Sequence, residues 1–282
     1  MLSALGSPLS RRSSAGEPNS TPLDARAIVA ALSGRRRIAV EIVDSVDSTS
    51  SELLRRAAAT DIDRRVLLAE RQTAGRGRRG RAWMSMPGGS LTLSLGWCFA
   101  RRPSELSALP LVVGLAVCRA LDGAGFADIE LKWPNDLVRR GAKLAGVLVE
   151  LSRDTAGRSL AVIGIGVNVR LPAAVRRAVG RAVTDLASVG PRAGLDRNVL
   201  AARIVDEVAG ALQAYARSGF ARFRAEWQRR HALQGKAVEV LLPGGGKVRG
   251  TVRGVDADGA LRVVSAGRSL RFTSGEVSLR PS

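Results

Sequence analysis

The sequence predicts an α+β fold in two parts, a mixed β-sheet with flanking helices followed by a small β-rich unit. Three observations carry this. Hydrophobic residues make up 45% of the 282 residues and charged residues 24%, enough apolar material to build a core. Up to about residue 234, apolar runs of strand character alternate with runs of helical period. From Lys236 onward only short β-rich runs remain, separated by Gly and Pro, at a spacing that suggests a small barrel of about five strands.

Taken in order, residues 1–21 are rich in Ser, Pro and Gly and read as a disordered tail. Leu23–Leu32 has the pattern of a short helix and Ile38–Val43 that of a strand. Ser48–Ala59 reads as a helix, with Thr49 and Glu52 spaced as a capping box. Val66–Glu70 is a short apolar strand, Gln72–Arg81 a Gly/Arg loop, and Ser90–Trp97 alternates apolar and polar as a half-buried strand does. Pro110–Leu121 is apolar all round, so a buried helix is expected. Asp128–Trp133 and Lys143–Leu151 read as strands flanking a turn at Pro134–Asp136, and Leu160–Val169 as a buried strand. Pro172–Pro191 reads as a loose loop, Asn198–Tyr215 as a helix and Phe220–His231 as a second one. The last strands are expected at Ala237–Leu242, Lys247–Val255, Ala260–Val264, Leu270–Thr273 and Val277–Leu279. The chain thus divides into a tail with a short helix (1–35), a main domain (36–234) and a small C-terminal β domain (235–282).

Composition excludes several classes of function. The longest apolar stretch, Leu109–Cys118, is about ten residues, against the ~20 needed to cross a bilayer. The first twenty residues lack the basic and apolar regions of a secretory signal, so the cytoplasm is the expected compartment. Cys98 and Cys118 have no CxxC partner and no neighbouring histidine, which leaves no disulfide framework and no cysteine-rich zinc site. His231 is the only histidine, so chemistry built on several histidines has no material. Net charge is +19, and only four of the 44 basic residues are lysines (132, 143, 236 and 247). Arginines spread through a chain rich in Ala and Gly are what GC-rich codon use writes. Arg64–Arg81 is the exception, a dense field of seven Arg against one Glu.

Five motifs could carry chemistry. In Gly75–Trp83 (GRGRRGRAW) three glycines let backbone N–H groups turn toward one point, and Arg76, Arg78, Arg79 and Arg81 add guanidinium forks suited to phosphate. Nucleotide phosphate, nucleic acid and a plain solvated basic loop all fit this stretch. It is no P-loop, lacking Gly-Lys-Ser/Thr. Lys132–Leu137 (KWPNDL) places Asn135 and Asp136 at a proline-defined turn, as ordinary turn chemistry or as a Mg²⁺-preferring carboxylate. Lys143–Glu150 (KLAGVLVE) puts an ammonium at the mouth of an apolar strand, as a partly desolvated cation or an edge-strand gatekeeper. Asp47–Ser50 (DSTS) opens a helix, as an N-cap or as hydroxyl groups for a small polar head group. In Gly164–Val169 (GIGVNV) the glycines permit close backbone approach, and Asn168 interrupts an apolar run.

The order of these motifs, followed by a small β domain, resembles the bacterial biotin–protein ligases over about residues 38–282. The resemblance implies a mixed sheet with helices on one side and an SH3-like C-terminal barrel. It implies that biotin, ATP and Mg²⁺ give an acyl adenylate, and that biotin passes to a lysine of a biotin carboxyl carrier protein. By motif position, biotin binding falls to Ser48, Thr49, Ser50, Gln72, Gly75, Arg76, Gly77, Arg78, Lys143 and Gly146. ATP binding falls to Arg78, Arg81, Trp83, Asn135, Asp136, Lys143 and Asn168, with Asp136 facing the metal and Lys143 and Arg78 catalytic. Ser50 stands where many members carry Asn. Only about 37 residues precede the first core strand, so a single-function ligase without an operator-binding domain is expected, with no specific DNA binding and a possible homodimer. Lipoate–protein ligase shares the fold and the adenylation logic, and a nucleic-acid-binding protein using the Gly/Arg loop is the reading of another class.

A Gly-rich loop is mobile when empty and can order over a reactive product. Biotin plus ATP is therefore expected to protect residues 72–83 from trypsin; equal cleavage with and without the ligands would count against a lid.

Overall fold

The computed structural model describes residues 21–33, 37–190, 195–242, 246–273 and 278–281. Residues 1–20, Pro191 and Val277, on which parts of the sequence reading fall, lie outside the described residues. Seven strands form one sheet: β1 (Ala39–Val46), β2 (Arg65–Gln72), β3 (Ser90–Phe99), β4 (Glu130–Lys132), β5 (Asp136–Arg139), β6 (Ala142–Arg153) and β7 (Ser159–Asn168). Their order is β1-β2-β3-β7-β6-β5-β4. β1 and β2 are parallel and every other pair is antiparallel, so the sheet is mixed.

The helices are α1 (Ala25–Ala31), α2 (Thr49–Ala57), α3 (Leu109–Gly123), α4 (Ala173–Ala178), α5 (Leu186–Val189), α6 (Arg197–Ser218) and α7 (Ala221–Arg229). Pro172–Pro191 therefore holds two short helices and is not a plain loop. The apolar stretch Pro103–Gly123 is long enough to cross a membrane by length and composition, but 72% of its most apolar window is buried against the rest of the fold. Each large side chain buried there contributes about 1.5–3 kcal/mol of transfer free energy.

Strand alternation sorts the two faces of the sheet. Val66 and Leu68, Leu91 to Phe99 at odd positions, and Ile163 to Val167 at odd positions pack with α3 and α6 in the main core. Leu67, Leu160 and Val162 point the other way, under Leu53 and Ala57 of α2. Helices thus cover both faces, not one. This corrects the reading of β3, whose alternation is real but whose polar residues Ser90, Thr92 and Ser94 are buried, not solvated. The expected turn at Pro134–Asp136 is also shorter, because Asp136 already begins β5.

A second sheet, of order β11-β10-β9-β8-β12, follows. Its strands are β8 (Ala237–Leu241), β9 (Lys247–Val255), β10 (Leu261–Ser265), β11 (Arg268–Phe272) and β12 (Ser278–Pro281), all antiparallel to their neighbours. Val238, Val240, Val252, Val255, Leu261 and Val263 join the main cluster of buried residues.

One buried ion pair ties the start of α6 to β2. Arg197 is 2% exposed and makes a two-pronged pair with Glu70 at 2.8 Å on each prong. It also donates to the Thr21 carbonyl at 3.0 Å, while Leu23 N–H donates to Glu70 at 2.7 Å. Burial alone would raise the Glu70 carboxyl, but Arg197 and the Leu23 amide outweigh it and hold it below its ordinary 4.5. A depressed folded value means a stability contribution that is complete above the unfolded value and disappears as pH falls through the lower folded one. Arg197→Met leaves the half-buried Glu70 carboxylate without its partner, and a loss of about 3 kcal/mol, the low end for a broken buried pair, is expected from urea unfolding at pH 7. The loss should shrink as the pH falls below the ordinary Glu range; an equal loss at every pH would refute the charge account.

Candidate active site

The face of the sheet that carries α2 changes character toward the far ends of its central strands. There the cross-strand rows read Ser94–Gly164–Leu148 and Thr92–Gly166–Gly146–Asp136. Hydroxyls and glycines replace the apolar residues under α2, and an open cavity lies above them. Ser48, Thr49, Ser50, Gln72, Arg76, Gly77, Arg78, Arg81, Trp83, Asn135, Asp136, Lys143 and Gly146 all line it. Residues separated by up to a hundred positions in the chain are thus brought to one space.

One end of the cavity is a run of hydroxyls. Ser48 caps α2, its Oγ accepting from Ser51 N–H at 3.4 Å. Thr49 donates from its amide (2.8 Å) and its hydroxyl (3.1 Å) to Gln72 Oε1. Thr49 and Ser50 share hydrogen bonds with Ser94 at 2.7 and 2.9 Å. Ser94 was not singled out from the sequence; its only signal is its even position in an alternating strand. Outside the cavity, the fork of Arg55 and the amide of Ser48 hold Asp47 down at about 2, so it stays charged and braces the helix start. A neutral polar head group with both donors and acceptors matches such an end.

The glycines make room. A Cβ on Gly164 would lie 2.6 Å from Ser50 Oγ, and one on Gly166 would lie 2.4 Å from the indole of Trp83. Trp83 therefore lies flat on the sheet, because Gly166 offers no side chain. The Gly/Arg loop folds back to place it: Gly77 N–H donates to the Arg81 carbonyl (2.7 Å) and Trp83 N–H to the Gly75 carbonyl (2.8 Å). Gly75 does not line the cavity; a Cβ there would come within 2.4 Å of the Trp83 carbonyl, so its task is loop packing. Arg76 leaves the loop to pair with Glu150.

The other end is cationic. Arg78 donates to Asn135 Oδ1 at 3.3 Å, and Asn135 Nδ2 donates to the Val147 carbonyl at 2.7 Å. Lys143 is ion-paired with Asp136, its side chain 12% exposed, and its Nζ lies 5.6 Å from the Trp83 ring centre. Strict alternation would send Lys143 to the same face as Ala145 and Val147, into the core. The register between β5 and β6 shifts at this point, pairing Val138 with Lys143 and Leu137 with Ala145. Leu144 takes the core position and Lys143 turns onto the site face, as bulges beside active sites do. Burial pushes the Lys143 ammonium below its ordinary 10.5, Asp136 opposes that shift, and Arg181 and Arg81 add to it.

Asn168 does not face this cavity. Its amide donates to the carbonyls of Thr184 (3.0 Å) and Lys143 (3.4 Å), locking the strand beneath the lysine. It lines a neighbouring hollow with Arg81, Trp83, Lys143, Val175, Val179 and Arg181. Arg181 and the segment around α4 were read from sequence only as loop, because neither has a motif. Among the described residues no three His, Cys, Asp or Glu side chains cluster as a metal site. Among the described residues Asp136 is the sole carboxylate lining the cavity, which fits a Mg²⁺ ion only if phosphate oxygens complete its shell. Burial pushes the thiols of Cys98 and Cys118 up to about 12, and neither lines the cavity, so no protein nucleophile is offered by cysteine.

Comparison with known proteins agrees with this geometry. Residues 43–168 match the Biotin/lipoate A/B protein ligase family, and residues 234–280 match the Biotin protein ligase C terminal domain. The bifunctional ligase/repressor BirA of Escherichia coli is 34% identical over 258 residues, covering 92% of this chain and 78% of that protein. The biotin–[acetyl-CoA-carboxylase] ligase of Mycobacterium tuberculosis is 36% identical over 265 residues, covering 91% and 95%. Among solved structures, the biotin protein ligase of Aquifex aeolicus in complex with biotin and ATP superimposes with a TM-score of 0.74 at 30% identity, over 86% of this chain and 99% of that one.

The seat of Trp83 on glycine is directly testable. Trp97, Trp133 and Trp227 are 4%, 2% and 1% exposed, so Trp83 is the tryptophan whose environment is open to change. Gly166→Ala should lift the indole off the sheet and shift tryptophan emission to the red, whereas an emission spectrum unchanged from the parent would show that Trp83 does not rest there.

Proposed function

The chain belongs to the biotin protein ligase family, and we propose from its site that it is an ATP-dependent ligase that activates biotin as biotinoyl-5'-AMP. It then transfers the acyl group to one lysine of a biotin carboxyl carrier protein. One observation carries the reading: a hydroxyl run and a cation cluster that holds the Lys143–Asp136 pair share one sheet face. Ser48, Thr49, Ser50, Gln72 and Ser94 suit the ureido ring, and Arg76, Gly77 and Arg78 close over the carboxylate. The relatives and the ligand-bound neighbours are biotin ligases, so lipoate is not the favoured acid. Arg78, Arg79 and Arg81 line the cavity with Trp83, which favours nucleotide phosphate over nucleic acid as the partner of the Gly/Arg loop.

The chemistry follows from charge. A biotin carboxylate oxygen attacks the α-phosphorus of ATP, the new C–O–P bond forms and pyrophosphate leaves. The carrier lysine amine then attacks the acyl carbon, loses its proton, and AMP departs. The first step brings two anions together, and preorganised cations lower its barrier. Lys143 is the compact charge at the junction, with Arg78 beside it. Arg81 and Arg181 suit the phosphates, and the hollow under Trp83 and Val175 suits the base. Bound Mg²⁺ would neutralise the triphosphate, held by Asp136 as its single protein carboxylate. Asn168 acts beneath this, by holding the backbone of Lys143.

The test is incubation with ATP, Mg²⁺, labelled biotin and a carrier domain, reading label on the carrier; label from lipoate in place of biotin would overturn the assignment. Lys143→Ala should lower pyrophosphate release roughly 10²–10³-fold, equivalent to about 3–4 kcal/mol. The variant should keep the parent's fold by circular dichroism, and release within twofold of the parent would remove Lys143 from the mechanism. Chelation of divalent cations should abolish release and their return restore it; full activity in chelator would remove Asp136 as a metal ligand.

A further inference from the structure

His231 and Trp133 take no part in the chemistry above, yet both are buried against the turn that carries Asn135 and Asp136. Trp133 is 2% exposed, and its indole Nε1 donates to the Gly259 carbonyl at 3.1 Å. Its backbone N–H points at His231 Nε2, a long contact of 3.5 Å. His231 is itself buried, with its ring 4.7 Å from that of Trp227. Strand β4, which leads into Trp133, is held by the same segment. Leu131 N–H donates to the Arg230 carbonyl and Ala232 N–H to the Leu131 carbonyl, both at 2.8 Å.

Gly259 lies in the β9–β10 turn of the C-terminal sheet. Its φ is +84°, and a Cβ there would meet Ala108 and Leu111 of the main domain at 2.9 Å. Ser107 Oγ donates to the neighbouring Asp258 carbonyl at 2.9 Å. The turn is thus wedged between the start of α3 and the Trp133 ring. A buried indole N–H requires an acceptor, and here the acceptor belongs to the other sheet. A neutral imidazole can accept from the Trp133 amide, whereas a charged one offers only donors. Burial pushes His231 down to about 4, so it is neutral near pH 7.

We propose that Trp133, fastened by Gly259 and His231, is a positioning residue for the nucleotide half of the site, so that the C-terminal sheet sets the geometry of adenylation from behind. The proposal rests on the ligase reading. The turn after Trp133 supplies Asn135 to Arg78 and Asp136 to Lys143. The hydroxyl end is built from the start of α2, β2 and β3, which hydrogen-bond to one another through Thr49, Ser50, Gln72 and Ser94. Arg78 and Lys143 also meet the biotin carboxylate, but the ring of biotin is held at the hydroxyl end, so loosening Trp133 acts on ATP more than on biotin.

Trp133→Phe keeps a ring in place and removes the N–H. The expected result is a rise of about fivefold to tenfold in KM for ATP, with the Kd for biotin alone, measured by calorimetry, within twofold of the parent. Gly259→Ala, made in the other sheet, should give the same asymmetry. His231→Gln keeps an acceptor and should stay near the parent, while His231→Leu should follow Trp133→Phe. If Trp133→Phe fails to fold, the two His231 variants decide. Equal changes in biotin Kd and ATP KM, or no change in either, would overturn the positioning role while the parent remains an active ligase. A parent that releases no pyrophosphate from ATP with biotin would overturn the ligase reading, and this proposal with it.

Discussion

A lysine ammonium that is nearly out of water needs an anion, and Asp136 is the anion that Lys143 has. Much of the site is arranged around meeting that need. The register shift between β5 and β6 takes the lysine off the core face. The turn at Trp133–Asn135 begins β5 so that Asp136 stands opposite Gly146, where no side chain intervenes. Asn168 and Thr184 hold the lysine backbone from below. A buried pair of this kind adds little net stability, since desolvating both charges offsets their attraction. Its value is positional: it keeps a cation on the cavity face of the sheet, beside Trp83 and Gly146.

The second constraint is the alternation of a strand. One face of β3, β6 and β7 packs apolar residues against α3 and α6. The other carries Thr92, Ser94, Gly146, Gly164 and Gly166 in register. Small and hydroxylic positions at one end of a sheet make a floor on which an indole can lie and a helix start can hydrogen-bond. The same face a few residues along is apolar and holds α2. Anchoring and recognition therefore come from one periodic pattern, with the composition changing along the strand. The hydroxyl end stands on strands and a helix start, whereas the arginines come from a loop.

Several parts of this were legible in the residues. The helices α2, α3 and α6, the buried β7 and the change to short strands after Lys236 follow from period and punctuation, because the hydrophobic face of each element is written locally. The Gly/Arg loop and the KWPNDL and KLAGVLVE stretches stood out because unusual residue types sit at turn and strand ends. Other parts were not legible. β5 is four residues long and hides inside what reads as a turn. The burial of β3 depends on α2 covering its polar face, which no window of the strand reports. Ser94 and Arg181 belong to no motif, and their place near the site comes from strands and segments far apart in the chain.

The sequence by itself determined most of the longer elements, the chemical character of the site residues and the family, since each depends on residue type, spacing and order. Only the tertiary structure decided which of those residues face one another. A one-residue shift in strand register turns Lys143 from core to cavity, and the packing of one sheet behind another puts Gly259 against Trp133. Both are outcomes of pairing between distant segments, and pairing energy is a property of the folded whole.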